Sequence, residues 1–181
     1  VGDPVAFVVA ETLAQAKDAA EAVIVDIDSL PAVTDAREAT KPGAPLVFDD
    51  APGNLCVDYL YGNSAKVAEA FAEAAHVTRL RLVSNRIVVC AMEPRSALAD
   101  YDAKTDRYTL RAGNQGAFGL KHQMADLLKI KPNQMRILTG NVGGSFGMKG
   151  SPYPEYAGLF HASKNLGRPV KWTDDRSGSF L

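Results

Sequence analysis

Apolar and polar positions follow two rhythms along this chain, and the places where the rhythm changes mark its elements. Val5 to Ala10 is a short apolar run bounded by Asp3-Pro4, the pattern of a buried strand. Thr12 stands three residues before Gln15, so a hydroxyl and a side-chain amide can exchange hydrogen bonds with the first amides of a helix. Leu13, Ala16, Ala20 and Val23 share one stripe of that helix, and Val23 to Ile27 then alternates like a half-buried strand. The opening predicts strand, helix, strand. From Leu30 to Asn54 the periodicity dissolves into Pro31, Pro42-Gly43, Pro45 and Pro52-Gly53, a long connection where the main domain boundary is expected.

Beyond it, Leu55 to Leu60 is strand-like. Asn63 or Ser64 caps an Ala-rich helix running to about Ala75, with Val67, Ala68, Phe71 and Ala75 on one face. Val77 to Val89 reads as extended. Ser96–Asp102 and Arg107–Arg111 flank a polar turn at Lys104-Thr105-Asp106 and predict a hairpin. A helix over Gly116–Leu128, a strand at Met135–Leu138, a helix from Pro154 ending at Gly167, and a last strand at Pro169–Trp172 complete the pattern. Strands and helices mix without a regular βα repeat, so the expected class is α+β.

Composition narrows the function. The 181 residues are 46% hydrophobic, enough for a core in one or two domains. With 20 Lys+Arg against 21 Asp+Glu the net charge is -1, so there is no surplus of cations to neutralise a phosphate backbone, and nucleic acid is not the expected partner. No apolar run reaches the roughly 18 residues that would span a bilayer. Cys56 and Cys90 are too few and too far apart for a metal site or disulfide framework, and are expected to be reduced, buried thiols of a cytoplasmic protein. The opening at Val1 without Met and the end at Phe180-Leu181 are what a segment of a longer protein would show.

The strongest local anomaly is the run Gly140-Asn141-Val142-Gly143-Gly144-Ser145-Phe146-Gly147-Met148-Lys149-Gly150. Glycine permits positive φ and close approach of backbone amides to an anion or an oxo group; the same run could equally be a tight turn packed on its own core. It is not a Walker A loop, because Met148 separates Gly147 from Lys149, and it lacks the spacing of a dinucleotide fingerprint. Gly143-Gly144-Ser145-Phe146-Gly147 matches G-x-S-x-G literally, yet only His161 follows it, without the ordered acid and histidine of an acyl hydrolase. His76, His122 and His161 have no metal-ligand spacing. Gln115, at a strand-to-helix junction, can donate to a ligand or satisfy a loop carbonyl. Met92-Glu93-Pro94-Arg95 reads as a corner locked by charge, and Asp174-Asp175-Arg176 as a charged strand rim.

Taken in order, Gly2-Asp3-Pro4-Val5-Ala6, Asn85-Arg86, Met92-Glu93-Pro94-Arg95, Gln115, Gly143 to Lys149, Tyr153-Pro154-Glu155 and Gly167-Arg168-Pro169-Val170-Lys171-Trp172 with Asp175-Arg176 resemble the molybdenum-cofactor subunit of the xanthine dehydrogenase, aldehyde oxidase and carbon monoxide dehydrogenase family. The resemblance covers essentially the whole chain. It implies that residues 1–40 are the C-terminal part of an α/β-hammerhead domain and 41–181 the N-terminal part of the molybdenum-cofactor-binding domain. It further implies a cofactor site of Gln115, Gly144, Ser145, Phe146 and Gly147, in which Gln115 and the backbone at Phe146 contact molybdenum-bound oxygen. The cofactor so implied is molybdopterin in its cytosine dinucleotide form, with molybdenum and, in the carbon monoxide branch, copper.

The implied partners are iron-sulfur and FAD subunits, in a homodimer of heterotrimers, with a small-molecule substrate. The implied reaction is oxidative hydroxylation, with no catalytic residue in this segment: the glutamate base and the cysteine-bearing loop would lie beyond Leu181. Ser145 replaces the third glycine common in the family, and Gly150 stands where xanthine-type members carry a substrate-contacting glutamate, which argues against purine recognition. Tyr153-Pro154 looks more like the carbon monoxide branch. The rival reading is a non-catalytic binding or assembly module that keeps the fold.

Overall fold

The computed structural model describes residues 2–180. The chain packs as two units, Val1–Val25 with Asn85–Leu181, and Asp26–Ser84.

The first unit is organised by a four-stranded sheet. Strands β1 (Ser96–Asp102) and β2 (Arg107–Ala112) form the expected hairpin, β3 (Met135–Leu138) lies parallel to β2, and β4 (Val170–Thr173) pairs antiparallel with β1, giving the order β3-β2-β1-β4. In the hairpin register Ala97 faces Ala112, Ala99 faces Leu110 and Tyr101 faces Tyr108, and these alternate residues point to one face. Met135 continues that face from β3 and Val170 from β4.

Three helices belong to this unit: α1 (Leu13–Glu21), α4 (Ala117–Leu127) and α5 (Pro154–Leu166). α4 is the crossover between parallel β2 and β3, because a parallel pair cannot be joined by a tight turn. Leu120, Met124 and Ala125 of α4 join Tyr156, Leu159, Phe160 and Ala162 of α5 in a single core over the apolar face of the sheet. Tyr108 meets Phe160 edge-on, with ring centroids 5.5 Å apart. Burying one such side chain stabilises the fold by about 1.5–3 kcal/mol. α5 starts at Pro154 and stops at Gly167, whose φ of 63° supplies the left-handed cap. α1 carries the expected capping box: the Thr12 hydroxyl accepts from the Gln15 amide, and the Gln15 side chain accepts from the Thr12 amide at 3.1 Å.

The second unit holds a short helix α2 (Ala36–Ala39), a 3-10 turn at Pro52–Asn54 and helix α3 (Ser64–Glu73), capped by the Asn63 side chain as expected. Asn54, at a left-handed φ of 56°, organises the proline-rich segment. Its side chain accepts from the Val47 amide and donates to the Ala39 and Pro45 carbonyls.

Three strand expectations fail here: Val5–Ala10, Val23–Ile27 and Leu55–Leu60 stay without regular structure, and the extended Val77–Val89 pairs with no strand among the described residues. Apolar alternation gives a segment a face to bury, whereas a strand also needs a second backbone to saturate its N–H and C=O groups. Cys56 and Cys90 are exposed, not buried, because they sit in or beside these unpaired segments. The mixed α/β character with a small sheet agrees with the expected α+β class.

Candidate functional site

The site is built where β2 ends. Gly113, Asn114 and Gln115 carry the chain from Ala112 into α4, and this junction is tied to the far end of the glycine loop. The Gln115 amide donates to the Lys149 carbonyl at 3.2 Å, and Asn114 Nδ2 donates to the same oxygen at 2.9 Å. Asn114 Oδ1 in turn accepts from the Gly116 amide at 2.6 Å, fixing the first turn of α4. A Cβ on Gly150 would stand 3.5 Å from Gln115 Oε1, so the Gln115 side chain lies against the loop.

The loop itself has two fastened ends and an open middle. At its start, the Glu93 amide donates to the Gly143 carbonyl at 3.0 Å, while the Glu93 carboxylate accepts from the Gly143 amide. The approach is so close that a Cβ on Gly143 would fall 2.6 Å from Glu93 Cβ, which explains glycine at this position. At its end, the Lys149 amide donates to Ser145 Oγ at 3.0 Å and the Tyr153 hydroxyl donates to the Met148 carbonyl. Ser145, the residue in place of a third glycine, is absent from the positive-φ positions and uses its hydroxyl to close the loop. Serine fits here without strain.

Between these ends, the amides of Gly144, Ser145, Phe146 and Gly147 donate to no acceptor among the described residues. Phe146 holds a left-handed φ of 51° and is 77% exposed. A bulky aromatic residue in that region of backbone space costs of order 1–3 kcal/mol, and such strain clusters where backbone groups must be aimed. The flanking Gly144 and Gly147 adopt φ of 96° and 99° without that cost. The result is a run of unsatisfied donors with an exposed aromatic ring in its middle.

Electrostatics under the loop centre on Lys149. Its side chain is fully buried, Nζ lies 3.4 Å from Glu93 Oε2, and it has no hydrogen-bond partner among the described residues. The Gly143 amide holds the Glu93 carboxyl below its ordinary value against the opposing effect of burial, and the Lys149 ammonium adds to the lowering. Beside this pair, a hollow of about 420 Å³ opens at the carboxyl ends of the parallel strands β2 and β3, lined by Glu93, Arg111, Gly113, Thr139 and Asn141 among others. Neither Gln115 nor Phe146 lines it.

The charged residues near the sheet edge serve the scaffold. Arg95 is buried and donates through Nη2 to Glu155 and Asp174, both at 3.2 Å, with its guanidinium 3.9 Å from the Tyr153 ring centroid. Arg176 donates to the carbonyls of Ala91 and Met92. Glu93 and Arg95, expected to lock one corner with each other, instead lock two different elements. His161 is exposed and pairs with Asn165, and no cluster of His, Cys, Asp or Glu able to hold a metal occurs among the described residues.

The structure thus brings Gln115 to the end of the loop that contains Gly144, Ser145, Phe146 and Gly147. The sequence reading missed Asn114, whose place two residues before a helix-starting glycine is the signature of a side chain bonding its own backbone turn. It also assigned no part to Lys149; a lysine among glycines carries no sequence signal of burial.

Known proteins now place the chain. Residues 47–181 match the family model described as molybdopterin cofactor-binding domain. The large subunit of nicotine 6-hydroxylase from Paenarthrobacter nicotinovorans is 33% identical over the whole chain, which spans 22% of that protein. The carbon monoxide dehydrogenase large chain of Hydrogenophaga pseudoflava is 32% identical over 95% of the chain and 23% of its own length. Among solved structures, quinoline 2-oxidoreductase from Pseudomonas putida 86 superposes with a TM-score of 0.79 at 31% identity, over 95% of this chain and 22% of that one. The chain belongs to the molybdopterin cofactor-binding domain family. It spans between a fifth and a quarter of the length of these relatives. Among the described residues no helix is long and apolar enough to cross a membrane.

Proposed function

We propose that this chain is the part of a molybdenum hydroxylase large subunit that presents hydrogen-bond donors to its cofactor, through Gln115 and the backbone of Gly144, Ser145, Phe146 and Gly147. One observation carries the reading: consecutive amides without a protein acceptor lie in a loop fastened to Gln115's own backbone. Molybdenum in molybdopterin supplies two-electron redox chemistry when bound. The residues present fit such a group, because its oxygen atoms need donors and the loop offers backbone donors that carry no charge and require no reorganisation. Gln115 adds a neutral side-chain donor, which orients an oxygen without competing for a proton.

On this reading, residues 1–40 belong to the tail of an α/β-hammerhead domain and 41–181 begin the cofactor domain. The cofactor is the cytosine dinucleotide form, and the substrate is a small molecule oxidised by hydroxylation. Copper belongs to the carbon monoxide branch of the reading and requires a cysteine-bearing loop outside this chain. Electrons leave to iron-sulfur and FAD subunits in a homodimer of heterotrimers. Support comes from two of the relatives, one a hydroxylase large subunit and the other a dehydrogenase large chain.

The test is metal analysis and turnover of the full-length protein beside its Gln115→Ala variant. Molybdenum in the parent, and turnover lowered by about 100-fold in the variant, is the outcome expected for loss of one preorganised donor. A parent free of molybdenum and of turnover overturns the proposal in favour of a non-catalytic assembly module, and a variant with undiminished turnover overturns the role given to Gln115.

A further inference from the structure

We infer that Glu93 and Lys149 form an ionic lock that sets the glycine loop from both ends, making them positioning residues for the amides of Gly144 to Gly147. The inference rests on the cofactor reading of those amides.

A single carboxylate touches both ends of the loop. Glu93 brackets Gly143 with two main-chain contacts, accepting from its amide and donating to its carbonyl. The same carboxylate faces Lys149 Nζ at 3.4 Å. Lys149 is in turn knotted into the far end: its amide holds Ser145 Oγ, and its carbonyl accepts from both Asn114 and Gln115. The start and end of the loop are therefore joined through one charge pair, and the intervening amides have no acceptor among the described residues to hold them.

Burial decides that this pair is more than surface decoration. Lys149 is 1% exposed, and an ammonium taken from water without a compensating charge is strongly unfavourable. A residue needed only to fill volume would be methionine or leucine. The strand exit is shaped around the pair as well, since a Cβ on Gly113 would stand 3.5 Å from both Lys149 Cδ and Glu93 Oε1. Exposed ion pairs contribute little, but here removing the carboxylate of Glu93, whose side chain is 36% exposed, leaves the buried Lys149 ammonium without a facing charge.

The lock is tested in the full-length protein with Glu93→Gln, which keeps an oxygen for the Gly143 amide and removes the charge, Lys149→Met, which keeps most of the length, and the double variant. Hydrogen exchange is followed in metal-free protein at the bonded loop amides of Gly143, Met148, Lys149 and Gly150, with residues 154–166 of α5 as an internal reference, and molybdenum per chain is measured in loaded protein. Glu93→Gln is expected to speed exchange in the loop by about 100-fold while α5 stays protected, with a several-fold drop in molybdenum content. The double variant, in which the lock is gone but no charge is stranded, is expected to exchange about as fast as Glu93→Gln, less than the sum of the two single effects. Unchanged loop exchange in Glu93→Gln, equal acceleration in α5, or a double variant that merely sums the two single effects overturns the lock. Loop exchange that responds while the parent takes up no molybdenum on loading keeps the lock and defeats the cofactor reading; molybdenum taken up with an indifferent loop does the reverse.

Discussion

Residues 91–180 and residues 26–84 are both well supplied with apolar side chains, yet only the first set buries them. Every fully buried described residue lies at or beyond Ala91, whereas Val57, Tyr59, Leu60 and Tyr61 in the second set are all more than 70% exposed. The difference is in partners. β1 finds β2 across a short polar turn and β4 on its other edge, so its backbone is saturated on both sides and its alternate residues meet α5. Leu55–Leu60 has a comparable side-chain pattern and no paired strand. Side-chain rhythm proposes a strand, and a second backbone decides it.

The sharpest way to break this contrast is in the core. Phe160→Ala removes a ring that is 1% exposed and packed edge-on against Tyr108, and a loss of about 3–5 kcal/mol is expected. That is a large share of a domain's whole stability, so thermal melting and limited proteolysis should show residues 91–180 opening together. Melting at the parent temperature would mean that the sheet and its helices are not the stable body.

A smaller effect is expected from acid. Because the Glu93 carboxyl is held below its ordinary value of 4.5, its contribution is complete above that pH and is lost as pH falls through the lowered folded value. The stability difference between parent and Glu93→Gln should therefore be full at neutral pH and vanish in strong acid. A difference that grows on acidification would reverse the assignment. Smallest of all, Tyr61→Ser, at a side chain that is 89% exposed, should change stability by no more than about 0.5 kcal/mol in chemical denaturation of the chain.

Local signals carried most of the second half of the fold. The hairpin turn at Lys104-Thr105-Asp106, the proline that opens α5 and the glycine that closes it are each decided by a few neighbouring residues, and each appears where the sequence puts it. The capping box at Thr12 and Gln15 and the Asn63 cap are equally local. What could not be read was whatever depends on distant partners: whether Val5–Ala10 finds a paired strand, or that Glu93 and Arg95, two residues apart, turn to different elements. The candidate site divides the same way. The glycine pattern announces an unusual loop, while the burial of Lys149 and the carbonyl it offers to Asn114 and Gln115 are products of tertiary packing.

The position of β1 in the middle of the sheet bears on how the polypeptide is made. During synthesis Ala99 meets Leu110 almost at once, but its other neighbour, Val170, emerges only after α4, β3, the glycine loop and α5 have been added. Until then the nascent hairpin carries a bare edge able to recruit a strand from another ribosome's product, and Arg95 waits for Asp174 over the same interval. Translation that stalls between residues 112 and 170 would therefore expose a sticky intermediate, and chaperone engagement should be concentrated in that window.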